Sequence, residues 1–177
     1  VRYGALGMFE ARATLSKAAE EMFGRAALPF FDMANADVVL SFGANFLETW
    51  LSPVAYTRGF SKMRKGTDGK RGYFVQFASR MSQTGAVADE WIPLRPGTEG
   101  LVALALGRLV TEAAGGALPK YLSSVDAADA AEKSGVEIKK LEAIAARILQ
   151  SRAPLALAGG AALGQSNGLQ IAKSVLA

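Results

Sequence analysis

Three short apolar runs, each closed by small or turn-forming residues, constrain the fold of this chain more than any other feature. Asp37-Val38-Val39-Leu40-Ser41-Phe42 lies between Asn35-Ala36 and Gly43-Ala44-Asn45. Gly72-Tyr73-Phe74-Val75-Gln76-Phe77 and Ala153-Pro154-Leu155-Ala156-Leu157-Ala158 repeat the pattern, the last ended by Gly159-Gly160. Each run is too short for a helix and is continuously apolar rather than alternating. A strand that is apolar on both faces must be covered on both faces, the condition met in a parallel sheet with helices above and below. Trp91-Ile92-Pro93-Leu94 reads as one more strand, demoted to an edge or a strand end by its proline.

Helical segments fall between these strands. Ala13 to Phe23 reads as a helix stopped at Gly24, a natural residue for the position after a helix end. In Thr98 to Ala114, Val102, Leu106, Leu109 and Val110 form a stripe that Leu101, Leu104 and Ala105 widen, so this helix is expected to be largely buried. Ser134 to Gln150 opens on a Ser134/Glu137 capping box and keeps Ile138, Leu141, Ile144, Ala145 and Ile148 on one face. A last helix is expected from Ser166 or Asn167. Ala117 to Lys133 reads as a surface insertion, and Thr57 to Lys70 gives no clear element. With right-handed crossovers, the pattern predicts one α/β domain over residues 1–177: a doubly wound, mostly parallel, Rossmann-like sheet in three αβα layers.

Composition narrows the chemistry. The chain has 177 residues, half of them hydrophobic, enough for one well-buried layered core. It contains neither Cys nor His. Thiolate iron–sulfur ligation, Cys nucleophiles and His-based triads are therefore absent from it, and no carboxylate cluster stands at a metal-binding spacing. The longest apolar stretch, Leu101 to Leu118, is interrupted by Arg108, Glu112 and paired glycines, so no segment reads as a membrane span. Val1 in place of an initiating Met, and a helix still running at Ala177, read as an internal fragment of a larger subunit. The net charge is +4, and one segment, Thr57 to Gly72, carries +5, with six cations (Arg58, Lys62, Arg64, Lys65, Lys70, Arg71) against Asp68 alone, so the rest of the chain sums to −1.

In an open α/β sheet, ligands bind at the carboxyl ends of the strands. The loops Gly43 to Glu48, Ala78 to Thr84 and Gly159 to Asn167 are then the candidate site. The Pro96-Gly97-Thr98-Glu99 turn joins them, because it opens a helix whose free N–H groups favour an anion.

Two segments are more specific than this. The first is Ala36-Asp37-Val38-Val39-Leu40-Ser41-Phe42-Gly43-Ala44-Asn45-Phe46-Leu47-Glu48-Thr49. The second runs from Arg80-Met81-Ser82-Gln83-Thr84 through Ala88-Asp89-Glu90-Trp91 to Pro96-Gly97-Thr98-Glu99-Gly100. Together they resemble the molybdopterin oxidoreductases related to dimethyl sulfoxide reductase, formate dehydrogenase and nitrate reductase. In that family one strand ends in Gly-x-Asn and a second in Arg-x-Thr-x-Thr. Ala-Asp-Glu-Trp, Pro-Gly-Thr-Asp and a small-residue helix follow in this order. The resemblance covers roughly Phe23 to Val110 and is less distinct beyond.

What the resemblance implies is a central domain, one of two that grip molybdopterin guanine dinucleotide. Carried over by position, Gly43 and Asn45 approach the pyrophosphate and its sugar. Arg80, Ser82 and Thr84 sit over phosphate or ribose, Gly97 and Thr98 shape the turn, and Glu99, where the family usually has Asp, accepts hydrogen bonds from guanine. No catalytic residue and no metal ligand are implied within the chain. The sequence also departs from the family. Ala78-Ser79-Arg80 replaces Asp-Pro-Arg, and the region of the family's metal ligand reads Glu10-Ala11-Arg12-Ala13-Thr14. Phe46 to Val54 looks closest to the large iron–sulfur subunit of alternative complex III and similar membrane complexes, where the domain is a cofactor-free scaffold. Cofactor-binding domain and structural domain of a quinol-oxidising complex thus both stand. Either implies as partners the remainder of its own subunit together with iron–sulfur and membrane subunits, in a periplasmic or membrane-associated setting. A plain nucleotide-binding module is a third reading.

Simpler roles stand beside these. Gly43-Ala44-Asn45 suits a plain turn, Glu99 a helix N-terminus, and Arg80 a surface salt bridge. Asp89-Glu90 is expected to make structural turn contacts, and Trp50 and Trp91 to pack. The Arg58 to Arg71 cluster reads as a solvated loop, with a partner-subunit surface as the functional alternative; without interleaved aromatics beyond Phe60 it gives no support to nucleic-acid binding.

Overall fold

The computed structural model describes residues 12–66 and 69–177. Glu10 and Ala11, in the region compared with the family's metal ligand, and Asp68 lie outside them. Helix α1 (Arg12–Phe23) ends as expected at Gly24, which sits at φ +69° and donates its N–H to the Glu20 carbonyl. Strand β1 (Val38–Phe42) is buried at every residue. There follow α2 (Pro53–Lys65), β2 (Tyr73–Phe77), the short α3 (Gln83–Ala86), β3 (Glu90–Ile92) and α4 (Glu99–Ala113). The chain then runs through α5 (Lys120–Ser123), α6 (Ala127–Ser134), α7 (Ile138–Gln150) and β4 (Pro154–Ala158). A 3-10 turn (Gly160–Gly164) leads into α8 (Gly168–Leu176).

All pairings are parallel and the strand order is β3-β2-β1-β4. The chain builds outward from β1 through β2 to β3, then crosses back to add β4 on the other side of β1. In register, Val39 lies beside Phe74 and Leu155, and Phe42 beside Phe77 and Ala158. Side chains alternate faces along each strand, so the two sets enter different layers. On one face Phe42 stacks on Phe77 at 4.8 Å, and Leu40, Phe42 and Ala156 look towards Ala103 and Leu106 of α4, Ile148 of α7 and Val175 of α8. On the other, Phe74 meets Phe46 and Phe60 of α2 at 5.1 and 5.6 Å. This is the three-layer α/β fold that the continuous apolar strands demand. Among the described residues no helix is long and apolar enough to cross a membrane.

Asp37 ties β1 to the edge strand β4 at their amino ends. Its carboxylate accepts the Ser151 hydroxyl and the N–H groups of Arg152 (2.9 Å) and Ala153 (3.1 Å), across more than a hundred residues of chain. Burial pushes this carboxyl up, but the Ser151, Arg152 and Ala153 bonds outweigh it and hold Asp37 below the usual aspartate range. At the other side of the sheet, Asp89 accepts both nitrogens of the Arg64 guanidinium and the Phe74 N–H at 2.8 Å. Glu90 accepts the Tyr73 hydroxyl and pairs with Lys140. The acidic pair before Trp91 is therefore structural, as its turn position suggested.

Three expectations are corrected. Thr57 to Lys70, which gave no clear element, and the Arg58 to Arg71 cluster, read as a solvated loop, are helical as far as Lys65: α2 buries Tyr56 and Met63 and carries Arg58, Lys62 and Lys65 on its outer side. Ala117 to Lys133 is no loose insertion, since α6 packs on α4 and buries Ala130 and Ala131. The Ser134/Glu137 capping box does not form. Ser134 is the last residue of α6, Gly135 at φ +78° ends that helix, and Glu137 starts α7 without a side-chain cap bond. Glycine at positive φ terminates a helix more decisively than serine begins one.

Candidate functional site

The strand order reverses between β1 and β4, and there the carboxyl-end loops part to leave a crevice. It has a volume of about 270 Å³ and is lined by Gly43, Asn45, Ala78, Arg80, Glu99 and Gln165, among others. The two loops meet at its floor. Gly43 sits at φ +75°, and a Cβ added there would lie 2.8 Å from the Gly159 carbonyl oxygen and 3.3 Å from the Ala162 Cβ. Only glycine lets the backbone of β1 come this close to that of β4.

Of the eight residues singled out in the sequence, Gly43, Asn45, Arg80 and Glu99 line the crevice. Asn45 is held from both sides. Its carbonyl accepts the N–H groups of Glu48, Thr49 and Trp50, and its side-chain Oδ1 accepts the Ser82 hydroxyl at 2.9 Å. Ser82 also accepts the Gly85 N–H, capping α3. Thr84 is fully buried: its hydroxyl oxygen accepts the Leu47 N–H, and its own N–H goes to Glu48 at 2.8 Å. Ser82 and Thr84 thus clip the loop after β2 to the loop after β1 rather than face the opening. Arg80 is exposed and forms no ion pair among the described residues, so the surface salt bridge does not occur there. The Thr98 hydroxyl donates to the Arg95 carbonyl at 2.6 Å, closing the turn ahead of α4.

Glu99 is unusual. It is the first residue of α4, only 3 % exposed, and its Oε2 has no hydrogen-bond partner among the described residues. Burial raises its carboxyl above the ordinary glutamate range, against the pull of the N–H groups of Glu99 itself and Gly97. A side chain serving only the helix dipole gains by facing water; this one is turned inward with an unused acceptor.

Sequence reasoning included the loop Gly159 to Asn167 but did not single out Gln165 within it. The loop after β4 reaches over the Gly97 turn, where Asn167 donates to the Gly97 carbonyl at 2.9 Å. Gln165 lies so close that a Cβ on Gly97 would stand 2.8 Å from its Oε1. Nothing local marks it, because its place depends on the 3-10 turn that precedes it. Trp50, by contrast, packs as expected, 3 % exposed between Phe31 and Tyr56. No group of metal-ligating side chains occurs among the described residues.

No family model matches the chain. It is 30 % identical over 136 residues to the menaquinone reductase, molybdopterin-binding-like subunit of Nitratidesulfovibrio vulgaris, a match covering 73 % of this chain and 20 % of that protein. It is 35 % identical over 83 residues to the probable dimethyl sulfoxide reductase chain YnfF of Escherichia coli, covering 46 % of this chain and 10 % of that one. The chain thus spans a fifth or less of the length of these relatives. Among solved structures, acetylene hydratase from Pelobacter acetylenicus superposes with a TM-score of 0.69 over 93 % of this chain and 23 % of that one. At 14 % identity that likeness speaks for the fold alone. With matches to these two relatives and a fold of the same build, the chain belongs to the molybdopterin oxidoreductase family.

Proposed function

We propose that this domain is the central domain of a molybdopterin oxidoreductase-type electron-transfer subunit and holds the guanosine end of molybdopterin guanine dinucleotide in the crevice between β1 and β4. The observation that carries the reading is Glu99: a buried carboxylate with a free oxygen, at the edge of a glycine-floored crevice. Guanine offers two neighbouring donors, its N1–H and its 2-amino group, and a carboxylate is the side chain that accepts both. A ligand that supplies them satisfies the acceptor that the fold leaves open.

The other residues take roles that follow from their places. Gly43, which lines the crevice, lies on the side of the pyrophosphate, and Arg80, without an ion pair among the described residues, offers its guanidinium to a phosphate oxygen. The Asn45 amide nitrogen is left for the sugar once Ser82 has taken its oxygen. Ser82 and Thr84 act by fixing the Asn45 loop, and Gly97 and Thr98 by shaping the turn that presents Glu99. At about 270 Å³ the crevice falls just short of the ~300–1,000 Å³ of ordinary ligand pockets, room for one nucleoside end. The rest of the dinucleotide then lies against a second domain, and this chain is an internal domain of a longer subunit. Bound, the cofactor supplies redox chemistry at a metal held from outside the domain, and the chain supplies binding and orientation.

A second reading has an observation of its own. Ala78, where the family usually has an acid, is 8 % exposed and leaves one crevice wall apolar. In this reading the domain is a cofactor-free structural part of a membrane-associated quinol-oxidising iron–sulfur complex. In both readings the partners are the remainder of its own subunit and the iron–sulfur and membrane subunits of a redox complex, in a periplasmic or membrane-associated location. The test is chemical analysis of the intact subunit. Stoichiometric molybdenum, released pterin and GMP support the first reading; absence of all three overturns it in favour of the second.

A further inference from the structure

We infer that Gln165 is a second base-reading residue of the crevice, donating a hydrogen bond to the 6-oxo group of guanine while Glu99 takes the N1–H and the 2-amino group. The inference rests on the guanosine reading above and adds a residue and a specificity to it.

Three observations lead there. Gln165 lines the same crevice as Glu99. Its carboxamide is half-buried and makes no hydrogen bond to any described residue, although it carries two donors and an acceptor. Its placement is also built. The Asn167 amide bonds the Gly97 carbonyl at 2.9 Å, the Gly168 N–H bonds the Gln165 carbonyl at 3.0 Å, and the missing side chain at Gly97 is what makes space for the carboxamide. The loop after β4 is thereby pinned to the turn that opens α4, and the pinned residue is the one left with unspent hydrogen-bonding groups.

The chemistry asks for such a group. Glu99 alone is an acceptor and recognises the donor half of guanine's edge. The neighbouring 6-oxo oxygen needs a donor, or it is desolvated without compensation. Arg80 is the crevice's charged donor and is exposed at its rim, suited to phosphate. A carboxamide is neutral, so it can donate to the oxo group beside Glu99 without drawing that carboxylate into an ion pair. Adenine, with no N1–H and no 2-amino group, mismatches Glu99, whereas the Gln165 carboxamide can turn its oxygen to the 6-amino group.

The test is calorimetric titration of the full chain with GMP, IMP and 6-thio-GMP, comparing the wild type with Gln165→Leu. IMP lacks the 2-amino group and reports on Glu99. 6-Thio-GMP keeps both donors and replaces the oxygen by a poor acceptor, so it reports on Gln165. Wild-type protein is expected to prefer GMP over 6-thio-GMP by about tenfold, the effect of one buried hydrogen bond. In Gln165→Leu that preference should collapse to about one while the preference over IMP persists. Gly97→Ala, which displaces the carboxamide, should reproduce the collapse. Unchanged discrimination in Gln165→Leu, or an equal loss for all three nucleotides, overturns the inference and leaves the Glu99 reading standing. No GMP binding by the wild type at millimolar concentration overturns both. Because the Gln165 side chain makes no hydrogen bond to the described residues, the thermal unfolding of Gln165→Leu should match the wild type, which separates a binding role from a structural one.

Discussion

The close approach of β1 and β4 at Gly43 can be measured by adding one carbon. Alanine at this position meets two penalties. It must adopt φ +75°, which costs an L-residue about 1–2 kcal/mol. Its Cβ also falls 2.8 Å from the Gly159 carbonyl oxygen and 3.3 Å from the Ala162 Cβ. Both belong to a loop that cannot yield without moving the crevice floor, and such overpacking costs about 1–3 kcal/mol more. A stiffer unfolded chain returns only ~0.4–1 kcal/mol. Gly24→Ala is the matched control, with φ +69° and nothing within 4 Å of the added carbon. The backbone and unfolded-state effects are common to both, so the difference between the variants isolates the contact. In urea unfolding, with a slope of about 2 kcal/mol/M, Gly43→Ala should have a midpoint about 0.5–1.5 M below that of Gly24→Ala. Equal midpoints would mean that the loops after β1 and β4 do not touch as described.

Other perturbations probe separate parts of the fold. Asp37→Ala removes three hydrogen bonds between the starts of β1 and β4 and should cost about 2–3 kcal/mol by chemical denaturation. Because the folded Asp37 carboxyl is held low, its contribution is fully present above the unfolded value near 4 and is lost as pH falls through the folded one. Asp37→Asn should therefore flatten the stability–pH curve below about pH 4; an unaltered slope would deny Asp37 this role. Glu99→Gln should stabilise the free chain by about 1 kcal/mol at pH 7.5, since it removes a buried carboxylate whose folded pKa is raised. That gain should fall away as pH drops below the unfolded value of about 4.3, where glutamate becomes protonated in both states, and a loss of melting temperature at pH 7.5 would contradict it. Gln76, fully buried in β2 with neither amide atom partnered, should accept Met with no loss or a gain of up to about 1 kcal/mol. A loss above 2 kcal/mol in its thermal unfolding would show that the amide is bonded.

The sheet was legible because its strands carry their burial in their composition: Val38-Val39-Leu40 and Leu155-Ala156-Leu157 have no polar face to confuse the reading. Helix α2 was obscured by its charge. Arg58, Lys62 and Lys65 drew attention to solvent, while Tyr56, Phe60 and Met63 already stood at helical spacing behind Pro53, a common first helical residue. At the site, Gly43, Asn45, Arg80 and Glu99 were within reach because they follow strands or open a helix, where position along the chain predicts position in space. Ser82 and Thr84 share that neighbourhood, yet they turn towards Asn45 and Glu48, a choice made by contacts between loops nearly forty residues apart. Gln165 lay within the loop Gly159 to Asn167 that the strand ends pointed to, but nothing singled it out there, because its place depends on a 3-10 turn and on an absent Cβ at Gly97.

The return of the chain to the far side of β1 has a consequence for how the crevice comes into being. Every segment that resembles the family's motifs precedes Val110, and those residues supply only one bank of the crevice. The other bank, Ala161, Ala162 and Gln165, arrives with β4, whose pairing to β1 closes a loop of more than a hundred residues. Contacts of such separation are entropically costly and tend to form late. The crevice is therefore expected to be among the last parts of the domain to form, and the nucleotide affinity proposed for this chain would report completed folding as much as recognition.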